Sequence, residues 1–249
     1  MAISHLLLDI EGTTCPVSFV ADVLFPYARE RMESYLTQHA HDPEVAALVS
    51  AVADALRSDL HPEVQGLRAG MSTAIPEAEQ VLPYLRWLIA NDVKLTPLKD
   101  LQGLIWHAGY ASGELVAPLF ADVPEALQAW WQQGLILAVY SSGSVTAQKL
   151  LYGHSQSGDL SPLFSYWFDT RHGAKQQVSS YSGIAATMGC PPESVLFISD
   201  ALAELKAAAA AGMACLFSDR EGNPDRDSGP FARISDYRTM LLPDDAHGS

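Results

Sequence analysis

Two hydrophobic rhythms divide this chain. After position 122, short apolar runs alternate with stretches in which apolar residues recur every three or four positions. Segment 123–133 has the helical period, LILAVY (135–140) reads as a strand, 145–151 as a helix and YWFDT (166–170) as a strand. The alternation continues through helical 177–188, strand VLFIS (195–199), helical 201–211 and strand ACLFS (214–218). Short apolar strands separated by helices predict an α/β fold whose doubly wound parallel sheet is covered on both faces. Earlier in the chain, the apolar run Leu6-Leu7-Leu8 gives way at Gly12-Thr13-Thr14 to helical periodicity over 19–40, 43–60, 76–91 and 97–112, with prolines near several starts. These four helices predict an insertion after the first strand. The expected organisation is an α/β core of residues 1–17 and 114–249 carrying a helical cap of residues 18–113, with a frayed tail at 244–249.

Composition narrows the function classes. A chain of 249 residues with 48% hydrophobic content can bury a core of this size. Its 29 acidic and 15 basic residues give a formal charge of −14, which repels phosphate backbones and anionic lipid. Neither nucleic acid nor membrane is expected as a partner. The cysteines Cys15, Cys190 and Cys215 are odd in number and lack framework spacing, which predicts reduced, packed thiols in a cytoplasmic protein. Three leucines without a basic lead are too short for a signal peptide or a membrane span.

In parallel sheets of this kind ligands bind at the carboxyl ends of the strands. Here the first strand ends in Asp9-Ile10-Glu11 and LILAVY in Ser141-Ser142-Gly143-Ser144, while YWFDT leads to Lys175 and VLFIS ends in Asp200. Neighbouring carboxylates raise one another's pKa, and a divalent cation relieves that cost. Hard oxygen donors without His or Cys suit Mg²⁺. A lysine, serine hydroxyls and a glycine turn opening a helix suit a phosphate group. Each feature alone has an ordinary reading: a solvated turn for Asp9 and Glu11, an N-cap for Ser144, a surface position for Lys175 and a helix cap for Asp200. Their occurrence in order at four successive strand ends points to Mg²⁺-assisted phosphate chemistry.

The same positions resemble the motifs of the haloacid dehalogenase-like hydrolases, the first matched by Asp9-Ile10-Glu11-Gly12-Thr13-Thr14, the second by Ser141, the third by Lys175 and the fourth by Ser199-Asp200. Within that superfamily the chain is similar to the enolase-phosphatase family of methionine salvage. The similarity lies in glutamate at the second acidic position of DIEGTT, LQGLIW (101–106) followed by Gly109-Tyr110, and YSSGSVTAQKLLYGHSQSGDL (140–160). FDTRHGAK (168–175) and Arg220-Glu221-Gly222-Asn223 extend it over most of the chain. Cys15 stands where threonine is expected and Ser165-Tyr166-Trp167 is bulky, but neither touches a motif position.

The resemblance implies Asp9 as nucleophile, forming an aspartyl-phosphate, and Glu11 as the acid and base for the leaving oxygen and the incoming water. It implies Mg²⁺ held by Asp9, Asp200 and the backbone carbonyl of Glu11, and a phosphoryl group met by Lys175, Ser141 and Ser142. The implied substrate is a small phosphorylated diketone, 2,3-diketo-5-methylthiopentyl-1-phosphate, enolised before its phosphate is removed. For the enolisation base, Glu11 and a group of the insertion both stay open, while His107 and Tyr110 read as structural. The insertion is expected to act as a lid, and a monomer is expected because that lid closes the site within one chain. A simple phosphomonoesterase of the same fold would keep every motif. A receiver-type signalling domain would need neither Glu11 as an acid nor so long a lid, and a dinucleotide-binding module lacks its glycine motif.

Overall fold

A computed structural model describes residues 2–68 and 77–240 of the chain. The chain divides into two compact units, one formed by Met1–Val20 with Leu115–Ser249 and the other by Ala21–Glu114. The first strand, β1 (His5–Leu8), begins the former. Its leucines Leu6, Leu7 and Leu8 are wholly buried, each worth roughly 1.5–3 kcal/mol in apolar burial.

The helical unit follows. A π-helical segment, Phe19–Leu24, runs into α1 (Phe25–Gln38), so the predicted helix 19–40 is two segments of different pitch. Next come α2 (Pro43–Ser58), capped by Asp42 accepting from Glu44 N, and α3 (Pro62–Leu67), a short helix that the periodicity did not predict. The helix predicted from 76 is α4 (Ala78–Ala90) as described, residue 76 itself lying outside the described residues, and α5 (Thr96–Ala111) completes the unit. The helical spacing is the core spacing: Val49, Val52 and Leu56 of α2, Leu85 and Leu88 of α4, and Leu101 and Ile105 of α5 join one buried cluster. LQGLIW thus contributes packing through Leu101 and Ile105. Tyr110 is buried and His107 exposed.

In the α/β unit, α6 (Val123–Gln132), β2 (Ile136–Tyr140), α7 (Val145–Gly153), β3 (Phe164–Phe168) and α8 (Val178–Met188) succeed one another. They are followed by β4 (Val195–Ser199), α9 (Leu202–Ala210), β5 (Ala214–Ser218) and a two-residue β6 (Arg233–Ile234) not read from the sequence. The sheet order is β3-β2-β1-β4-β5-β6, parallel at every pairing, with the chain reversing direction of growth on either side of β1. The third strand lies two residues earlier than predicted, because Asp169 turns back to accept from Arg171 N and opens a 3₁₀ turn at Thr170–His172. Ser144 caps α7 through Ala147 N, its predicted structural role. Among the described residues no helix is long and apolar enough to cross a membrane. The tail at 244–249 lies outside them.

Candidate active site

Register brings the candidates level. Leu8 pairs with Val139 of β2 and Ile198 of β4, so Asp9, one residue on, emerges between Tyr140 and Ser199 at the carboxyl edge. Asp9 N donates to Ile198 O at 3.0 Å, which carries the ladder one step past the strand. Its carboxylate is buried: Oδ1 accepts from Ile10 N at 2.8 Å and from Lys175 Nζ at 2.7 Å. Oδ2 lies 3.3 Å from Ser199 Oγ, which is also 3.1 Å from Glu204 Oε2 and so shares one proton between two carboxylates. Lys175 Nζ bonds Glu204 Oε2 at 2.8 Å. A buried lysine thus sits between two acids at the end of the sheet.

Lys175 is not the surface lysine that its loop suggests. Three consecutive carbonyls of that loop are held: Gly173 O by Tyr140 Oη at 2.9 Å, Ala174 O by Ser180 Oγ at 2.8 Å and Lys175 O by Tyr181 Oη at 2.7 Å. Gly173 is required there, since its φ is +136° and a Cβ would stand 2.2 Å from Ser180 Oγ. Burial, the largest influence on the Lys175 ammonium, favours its neutral form, but Asp9 and Glu204 together reverse this and raise its pKa above the ordinary lysine value.

Asp200 lies against the turn that follows Glu11. A Cβ on Gly12, whose φ is +67°, would stand 2.1 Å from Asp200 Oδ2 and 2.9 Å from Asn223 Oδ1. Glycine lets the backbone approach that carboxylate. The capping reading of Asp200 fails, since α9 has no side-chain cap and Ala201 N donates to Ser199 Oγ. Burial, then Asp9, then more weakly Glu11 push the Asp200 carboxyl up to about 7 against the opposing pull of Lys175. Glu11 is half-buried, and its charge also reaches Cys15, whose thiol burial above all pushes up to about 12. Cys15 is therefore an inert packed thiol.

Ser141 and Ser142 follow β2. Ser141 is buried, donates its N–H to Phe168 O at 3.2 Å and accepts from Gly143 N at 3.2 Å, so it is bonded within its own loop and to β3 rather than to the carboxylates. Ser142 is exposed. Gln148 braces the loop by donating to Gly143 O and Phe168 O, both at 2.8 Å. The sequence reasoning missed Glu204. An acid in the first turn of α9 reads as a complement to the helix dipole, and only the fold reveals Lys175 beside it.

The donor set bears on a metal. Among the described residues no three His, Cys, Asp or Glu side chains gather as a ready-made metal cage. A water-retaining hard cation needs only one or two carboxylates, and Asp200, lifted to about 7 by burial first and the Asp9 charge second, is a carboxylate whose ionised form such a cation would stabilise. The residues fit Mg²⁺.

Comparison with known proteins gives a consistent picture. Residues 3–212 match the profile of the haloacid dehalogenase-like hydrolases. The chain is 47% identical over 240 residues to enolase-phosphatase E1 of Prochlorococcus marinus (strain MIT 9313), covering 96% of this chain and 98% of that protein. To enolase-phosphatase E1 of Synechococcus elongatus it is 48% identical over 237 residues, covering 95% and 97%. The crystal structure of the UTR4 protein of Saccharomyces cerevisiae superposes with a TM-score of 0.72 at 34% identity, covering 96% of this chain and all of that one.

Proposed function

Because the chain belongs to the haloacid dehalogenase-like hydrolases and, among them, to the enolase-phosphatases, we propose that it converts 2,3-diketo-5-methylthiopentyl-1-phosphate to acireductone and phosphate. The observation that supports this reading best is the buried Asp9–Lys175 contact of 2.7 Å, with Asp200 and Glu11 at the same edge of the sheet. Asp9 attacks phosphorus, the ester oxygen leaves, and an aspartyl-phosphate forms. Glu11 gives its proton to that leaving oxygen and takes one from the water that clears the intermediate. Lys175 meets the charge on the phosphoryl oxygens, and Glu204 keeps it protonated and in place. Ser141 and Ser142 complete the phosphoryl cradle.

Asp9, Asp200 and the backbone carbonyl of Glu11 would hold Mg²⁺. When bound, that ion supplies positive charge to the phosphoryl oxygens and to the oxygen of the developing enolate. The reading carries with it a monomeric enzyme of the cytoplasm, in keeping with three free cysteines. A simple phosphomonoesterase shares all these parts, and the product separates the two. Anaerobic incubation of the diketone phosphate with enzyme and Mg²⁺ is expected to yield phosphate and the ultraviolet absorbance of an enediol in step. Phosphate accompanied by an unenolised diketone would reduce the reading to phosphatase alone.

Metal binding has a pH signature. Below about 7 the metal-free Asp200 carboxyl is protonated, and Mg²⁺ must displace that proton to use it. Mg²⁺ affinity is therefore expected to fall as pH drops through 7, by up to about tenfold per unit, in calorimetric titrations at pH 6 and 8. Asp200→Ala should weaken binding about tenfold or more at pH 8 and flatten this slope, since one anionic ligand is gone. An unchanged titration in that variant would remove Asp200 from the metal site.

A further inference from the structure

The turn that follows Asp9 and Glu11 has no regular secondary structure, yet it is gripped from far along the chain. Thr13 N, Thr14 N and Cys15 N converge on Ile10 O at 3.1, 2.9 and 2.9 Å, folding the turn on itself. Two carbonyls further along, those of Gly12 and Thr13, are taken by distant side chains. Gly12 O accepts from Asn223 Nδ2 at 2.9 Å and Ser218 Oγ at 3.2 Å, while Thr13 O accepts from Tyr237 Oη at 3.0 Å and Arg220 Nε at 3.3 Å.

Arg220 is the hub of this grip. Its two terminal nitrogens form a fork with Asp122, both at 2.9 Å, and Nη1 also reaches Ser235 O at 2.6 Å. The guanidinium lies 4.6 Å from the Phe120 ring centre and 4.1 Å from that of Tyr237, and Tyr237 N donates to Asp122 Oδ2 at 2.7 Å. Arg220 and Asp122 are about 95% buried. Burying such a pair costs desolvation that its attraction barely returns, so apolar side chains of similar volume would stabilise the fold as well. What apolar side chains cannot supply is direction: here Nε, the guanidinium nitrogen not engaged with Asp122 or Ser235, donates to Thr13 O, two residues after Glu11.

We infer that Arg220, with Tyr237 and Asn223, is a positioning group for the reaction, fixing the Gly12–Thr13 backbone so that Glu11 reaches the leaving oxygen. The inference rests on the reaction proposed above. Proton transfer needs heavy atoms within about 2.6–3.2 Å, and a displacement of about 1 Å in a reacting group costs up to about a hundredfold in rate. Room for drift is small on the other side, where Gly12 already touches Asp200 so closely that no Cβ fits. None of the three side chains needs to touch substrate for this role.

Two variants test it. Tyr237→Phe removes only the hydroxyl, leaving the ring on Arg220 and the backbone bond to Asp122. Arg220→Lys keeps the charge and loses the fork. Each is measured for kcat and KM against pH, with the folded fraction read from thermal unfolding. The expected result is a kcat lower by about tenfold in Tyr237→Phe and about a hundredfold in Arg220→Lys, KM within about twofold of wild type, and a displaced pH limb for proton transfer in both. Should Arg220→Lys fail to fold, Tyr237→Phe decides alone. Wild-type kcat and pH profile per folded molecule would overturn the inference and leave the array a purely structural tie. Failure of the parent reading looks different: the wild-type enzyme would then release phosphate from a simple alkyl ester such as propyl phosphate but yield no enediol from the diketone phosphate, and the variants are compared on that alkyl ester, whose poor alkoxide leaving group needs the same proton from Glu11.

Discussion

Asp9→Asn is expected to give a folded protein whose phosphate release falls by at least about three orders of magnitude. Asparagine keeps the shape of the site. Its carbonyl oxygen can accept from Ile10 N and Lys175, and its amide can donate toward Ser199 Oγ, which remains free to donate to Glu204. What disappears is the oxygen nucleophile and one negative charge. The charge has its own measurable consequence, because Asp9 stands second only to burial among the influences that lift Asp200 to about 7. In metal-free wild-type protein, the native state keeps a proton on Asp200 that the unfolded chain releases near 3.8. The native state therefore binds more protons between those values, and stability contributed by this group is lost as pH rises from about 4 to about 7. With Asp9 neutralised, Asp200 moves back toward its ordinary range and that loss shrinks. Thermal unfolding in EDTA at pH 5 and pH 7.5 should show a smaller drop for Asp9→Asn than for wild type. Near-wild-type turnover in the purified variant would sink the nucleophile assignment, whatever the unfolding curves show.

The strand ends were legible in the sequence because an apolar run meeting a carboxylate is a local event, visible at Leu8-Asp9 and Ser199-Asp200 alike. Features set by distant partners were not. Lys175 sits in RHGAK, which reads as an exposed loop, and its burial comes from Tyr140 on β2 and Ser180 and Tyr181 on α8. Glu204 acquires meaning only from Lys175, and Arg220 only from Asp122, which lies 98 positions away. The missed elements are the short ones: α3 has six residues including Gly66, and β6 has two, of which Ile234 alone is buried. Neither is long enough to show a period. The misplaced β3 has a different cause. YWFDT continues as apolar and β-prone to its last residue, but the side chain of Asp169 finds Arg171 N at 2.9 Å, and this local bond stops the strand at Phe168.

Glu11→Gln separates the two half-reactions, and its expected effect on phosphate release is a loss of about two to four orders of magnitude. Glutamine fills the same space, so the turn held at Gly12 and Thr13 has no reason to move, but it cannot hand a proton to the departing oxygen or take one from water. If phosphoryl transfer is its only duty, the variant enolises the diketone and stops, and a phosphorylated enol accumulates. Solvent deuterium then enters the carbon next to the carbonyl. Were the same carboxylate also to remove the carbon-bound proton, both steps would fail together and no deuterium would appear in recovered substrate. We expect the first outcome, since a group within hydrogen-bond reach of the leaving oxygen is seldom also within reach of the carbon proton. The variant carries an internal check as well: Glu11 adds to the upward pressure on Asp200, so its neutralisation should ease Mg²⁺ binding at low pH only slightly, burial and Asp9 being the larger causes. The measurement is a mass or proton resonance spectrum of substrate incubated in D₂O with Glu11→Gln and Mg²⁺, read beside phosphate release. Undiminished phosphate release would remove Glu11 from the chemistry altogether and leave it a residue of the turn.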